Sequence, residues 1–374
     1  MAQTHRAVFV GCLAVLLLVA PAIAQPAAGI PNAVKEGNLT PAQKKQVADF
    51  VAAQVKAMTG EDAAAQQAAR ENLAREVVPG SGQKFSVQFL DEYGRQVAQQ
   101  LKPLLEQPMR PRLNAAIVIA KVADAVPTSA LDGVIAEMLA PKQPAIIVLW
   151  GLKAARGSLL NAGVLNKPTP LLKNIAPAVQ SHPTGPVVSE AYRMLIVERN
   201  TKGQTDPRIS RILGTGLVSG EYIPLMLDLL KKRVAAVVAG KFDDPMAEYA
   251  GIEWLSINGW KQLKDAQKTE LLQSISDLMN AAAKLAPKVE PEMLSRLEQM
   301  FTYLAASLAV IGQEDRSAAG AALAQVASPV GKSGVSGAAG MEQALAQLNP
   351  VLQGQYKVKP FAADPKAPST QPGN

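Results

Sequence analysis

Apolar residues recur along this chain every three to four positions, the spacing that lines one face of an α-helix. No segment alternates strictly between turn signals as a half-buried strand would. Thr40-Pro41-Ala42-Gln43 opens the first periodic stretch with a capping hydroxyl, a proline at the first helical position and a glutamine at the capping-box position. Val47, Phe50, Val51, Val55 and Met58 follow on one face, and Gly60 stops the run. An Ala-rich helix is predicted from Glu61 to Val78, and a third carries Leu90, Tyr93, Val97, Leu101 and Leu104. After a glycine-rich break at Gly214 to Gly220, helices are predicted over Tyr222 to Ala239, Pro245 to Leu263, Thr269 to Leu285 and Pro291 to Ile311. The last bears an unbroken stripe of Met293, Leu294, Leu297, Met300, Phe301, Leu304 and Leu308, which reads as core. The fold class is therefore all-α.

Between these regions the texture changes to helix pairs that begin after prolines. Pro111-Arg112-Leu113-Asn114-Ala115-Ala116 starts one, a turn near Val126-Pro127-Thr128 separates it from Leu131 to Leu139, and Pro144 restarts the pattern 33 residues after Pro111. A third start falls at Pro186, 42 residues further on. Over Pro108 to Val197 the chain resembles HEAT and armadillo repeats, whose antiparallel helix pairs stack with a period of roughly 35 to 47 residues. The resemblance implies architecture, an irregular HEAT-like α-solenoid, and carries over no catalytic residue.

The two ends read differently. Arg6 is the only charged side chain before Lys35, and an apolar run from Ala7 to Ala20 follows it, then Pro21 and the small-x-small triplet Ala22-Ile23-Ala24. Residues 1–24 are thus read as a signal peptide cleaved between Ala24 and Gln25, with Cys12 as part of its core and not a lipidation site. Fourteen apolar residues would span only about 21 Å, too little for a retained anchor. The expected destination is the periplasm or the exterior. Residues 25–37 read as a flexible leader, 38–107 as N-terminal helices and 108–312 as the repeat-like region. Residues 313–356 read as small-residue-rich helices with a mobile loop at Ser328 to Gly340 and a short helix at Met341 to Leu348, and 357–374 as a disordered tail.

Cleavage would also narrow the chemistry. It removes the single cysteine and one of two histidines, leaving His182, so zinc sites built from His and Cys and cysteine nucleophiles are ruled out. No cofactor or metal is expected. Gly331-Lys332-Ser333 ends like a phosphate loop, but Val326 occupies the place of its first glycine; Gly214-Thr215-Gly216 likewise lacks its third. The net charge of +7 would fall to +6, and the densest basic run, Lys231-Lys232-Arg233, has no interleaved aromatics and reads as a solvated stripe. No nucleic-acid function is expected.

Two readings of function remain. The first is an exported, non-enzymatic helical protein that binds an envelope or extracellular protein or polymer, with Tyr249, Trp254 and Trp260 as the candidate binding aromatics. The alternative is a carboxylate-based hydrolase or lyase acting on a polysaccharide, using Asp91 with Glu92, Asp243 with Asp244, or Glu248 with Glu253. Only 4% of residues are aromatic, few for a sugar cleft.

Overall fold

The computed structural model describes residues 29–164, 170–195, 222–239, 244 and 246–362, and every regular element among them is helical. The signal segment with its Ala24-Gln25 cleavage point, the glycine-rich break at 214–220 and Asp243 lie outside the described residues. Fifteen α-helices are present among the described residues, and none is long and apolar enough to cross a membrane. The first nine are α1 (Asn32–Glu36), α2 (Pro41–Met58), α3 (Ala63–Arg75), α4 (Val87–Leu101), α5 (Met109–Ala123), α6 (Asp132–Met138), α7 (Ala145–Val164), α8 (Leu172–Ser181) and α9 (Gly185–Leu195). The remaining six are α10 (Ile223–Val238), α11 (Tyr249–Trp254), α12 (Asp265–Leu285), α13 (Pro291–Glu314), α14 (Ala318–Ser333) and α15 (Gly337–Gln355).

Local chemistry sets the starts. Thr40 Oγ1 accepts from the Gln43 N–H at 3.3 Å while the Gln43 side chain accepts from the Thr40 N–H at 2.8 Å, closing the reciprocal cap of α2. Asp62 and Ser86 cap α3 and α4 with a single bond each, accepting from the Ala64 and Phe89 N–H groups. Consecutive helices then pair, α2 with α3 and α4 with α5, while alternate helices pack side by side. One row runs α3, α5, α7, α9; the opposite row begins α2, α4 and a 3-10 turn at Ser129–Leu131 that leads into α6. Buried polar groups at these crossings are satisfied locally: Asn161 on α7 donates 3.0 Å bonds to both the Ala123 and Val126 carbonyls, closing the end of α5. In the C-terminal part α10 packs on α12, α12 on α15, and α13 on α14.

Four expectations need correction. The flexible leader is ordered from Ile30, because Ile30 and Val34 bury their side chains and Lys35 pairs with Glu76 at 2.6 Å. The tail is docked as far as Ala362, since Val358 is 2% exposed and Phe361 packs against the core. The helix expected over Pro245 to Leu263 is broken: α11 gives way to a wide π turn at Leu255–Gly259 and a 3-10 turn at Trp260–Gln262. The expected mobile loop at Ser328 to Gly340 is mostly helix, with only Gly334 to Ser336 between α14 and α15, and the short final helix extends over 19 residues.

The last correction has a packing cause. The small residues of α14 are where its backbone lies directly against α13. A methyl group built on Gly331 would sit 2.8 Å from Ala306 Cα, and one on Gly312 would sit 2.6 Å from the Ala324 nitrogen. Both distances are far inside van der Waals contact, so neither position can carry a side chain without separating the helices. We expect Gly331→Val to destabilise the protein by about 1–3 kcal/mol, read as a lower midpoint in denaturant unfolding. Gly354→Ala on the open face of α15, where an added methyl meets nothing within 4 Å, should not lower it.

Candidate functional site

The aromatic cluster suggested by sequence does not form one surface. Trp254 and Trp260 are only 6% and 3% exposed, packed between α11, its following turns and α13. The Lys268 ammonium lies 5.3 Å from the Trp260 ring centroid and covers its edge of the core. Tyr249 alone is half-buried; its ring stacks on Tyr303 of α13 at 4.5 Å, and its hydroxyl donates to Glu253 at 2.9 Å. The π turn changes the helical register between Trp254 and Trp260, which periodicity counted at 3.6 residues per turn does not anticipate.

The basic run divides sharply. Lys231 and Lys232 are exposed, as a solvated stripe requires, but Arg233 is 4% exposed and points inward. Its Nε lies 2.6 Å from Glu248 Oε1, and its Nη1 and Nη2 donate to the carbonyls of Pro183 at 2.7 Å and Asp244 at 3.2 Å. One guanidinium therefore joins the α8–α9 connection, α10 and the start of α11. Burial raises Glu248 to about 7, with the attraction of Arg233 opposing and the Asp244 charge adding to the rise. Tyr192 of α9 is buried beside this pair, and desolvation followed by the Glu248 charge pushes its hydroxyl well above the usual value.

The remaining sequence candidates are dispersed. Glu253 lies on the surface, so Glu248 and Glu253 do not face a common cleft. Asp91 and Glu92 both turn to Arg95 along α4, the second at 2.7 Å. His182 ends α8 with Nε2 3.3 Å from the Pro141 carbonyl oxygen. Gly331-Lys332-Ser333 is the last turn of α14. Among the described residues no three His, Cys, Asp or Glu side chains come together in a group able to hold a metal ion.

A feature absent from the sequence reading is a groove of about 470 Å³ across α3, α5 and α7. Ala74, Val78, Ala120 and Trp150 supply apolar surface, and Arg75, Lys121 and Lys153 lie along it. Val78 is 63% exposed and Trp150 half-buried, so large apolar groups meet solvent here. The Lys153 ammonium sits 4.4 Å from the Trp150 ring centroid, one turn along α7. The Trp150-x-x-Lys153 spacing was the available signal, since residues three apart share a helix face.

No protein-family model, curated protein or solved structure matches the chain.

Two outcomes are expected for the buried pair. Arg233→Met alone should cost about 3–5 kcal/mol by leaving Glu248 unpaired in the core, while Arg233→Met with Glu248→Leu should recover part of that loss. A folded-state value raised from 4.5 to about 7 means that the native protein holds this proton more tightly than the unfolded chain does. The Glu248 contribution is thus fully present below about pH 4.5 and is lost as pH rises towards 7. Denaturant titrations across that range should show a falling slope that Glu248→Gln flattens.

Proposed function

We propose that the chain is an exported, non-enzymatic protein whose stacked helix pairs, arranged as an irregular HEAT-like solenoid, bind an envelope or extracellular protein or polymer. Export is supported by the sequence of residues 1–24, a basic start, an apolar run and a small-x-small triplet. The solenoid reading is supported by alternate helices packing side by side along α3, α5, α7 and α9. The observation that carries a binding role is the groove across that row, where Trp150 presents part of its ring to solvent beneath the Lys153 ammonium. A rigid aromatic set in an apolar groove with charged margins has the make-up of an interface anchor.

The reading makes a direct demand on Trp150. Purified mature protein should capture a partner reproducibly from its native envelope or medium, and Trp150→Ala should weaken that capture at least tenfold, an effect of about 1.4 kcal/mol or more. Circular dichroism should be unchanged. A reproducible partner retained equally by wild type and variant removes the groove from the reading, and the absence of any reproducible partner removes the reading itself.

A further inference from the structure

A second groove, of about 690 Å³, lies between α10 and α12, and the chain's own segment from Lys357 to Ala362 forms one of its walls. After α15 the backbone passes through Lys357, whose φ of 56° lies in the left-handed region that a residue with a side chain disfavours. It then runs without helical structure to Ala362. The fastening is to backbone. The Lys359 N–H donates to Gln273 Oε1 at 2.7 Å, and the Lys359 carbonyl accepts from Gln273 Nε2 at 3.2 Å. A bond from the same Nε2 to Asp277 Oδ1 at 3.0 Å fixes the direction of the amide.

A side-chain amide that pairs with both backbone groups of one residue treats the segment much as a neighbouring β-strand would. Such pairing selects an extended conformation and is indifferent to which chain supplies it. Selectivity comes from the side chains. Val358 is buried, Phe361 packs against the core, and the short apolar side chains of Val234, Ala235, Val238 and Ala266 line the groove that Pro360 also borders.

We propose that the face of α12 beside this groove is a docking site for an extended peptide of aliphatic-x-Pro-aromatic character, with Val358 to Ala362 as the built-in segment that Gln273 holds there. A peptide supplied from another protein makes the same bonds without passing through a left-handed residue. The tethered segment competes at an effective concentration on the order of millimolar, so a partner must outbind it to enter. This site is separate from the α3–α5–α7 groove, and Trp150→Ala leaves it intact.

The test uses the full-length protein and a fluorescent heptapeptide Tyr-Lys-Val-Lys-Pro-Phe-Ala, a copy of residues 356–362. Anisotropy should show it binding a Val358→Asp/Phe361→Asp variant at least tenfold more tightly than wild type. Gln273→Ala in the same background should cancel that gain. In wild type, millimolar unlabelled peptide should accelerate hydrogen exchange at the Lys359 amide. The proposal fails if the released variant is folded by circular dichroism yet binds no tighter than wild type, or if Gln273→Ala changes nothing. Should the released variant not fold, unchanged Lys359 exchange in wild type overturns the proposal by itself.

Discussion

Short side chains are the constraint on which the rest of this structure depends. Nearly half the chain is hydrophobic while only 4% is aromatic, and alanine, valine and leucine dominate the buried positions. Such a core fills only when helices approach closely, and where α13 meets α14 the approach becomes backbone against backbone at Gly312 and Gly331. Large buried groups such as Phe89, Tyr93, Tyr192 and Phe301 sit among them, Phe89 and Tyr93 against each other at 5.7 Å between ring centroids. Gly251 shows the same economy of space, since an added methyl there would lie 2.3 Å from the Tyr192 ring.

Close packing also explains why one ion pair could be buried. Arg233 reaches two carbonyls and a carboxylate because the α8–α9 connection and the start of α11 come within one side chain's length of α10. Desolvation of Glu248 is then the larger effect, and Arg233 offsets only part of it. The pair ties segments together more than it adds net stability.

Much of the fold was legible in the sequence where local chemistry decides it. The Thr40/Gln43 cap, the apolar stripe of α13 and the proline-led starts near Met109 and Ala145 all appear where periodicity places them. What escaped depends on partners distant in sequence. Gly and Ser over residues 328–340 carry the composition of a loop, yet most of them are helical, and Gly331 lies directly against the backbone at Ala306. Lys231 and Arg233 look alike in a charge run, yet one meets solvent and the other meets Glu248. The leader, made of small residues and prolines, and the proline-rich tail offer little to bury, yet Ile30, Val34, Val358 and Phe361 pack against the core. Trp150 was hidden within an apolar helix start, where its neighbours gave no hint that α3 and α5 would leave it a groove.

The hairpin of α13 and α14 carries a kind of information that residue identity conveys poorly. Its inner positions are specified by what is missing, so they refuse the addition of atoms. Drift under selection would therefore be barred at Gly312 and Gly331, where even a methyl group does not fit, while the outward faces change freely. A segment featureless by composition would thus be among the least substitutable stretches of the molecule.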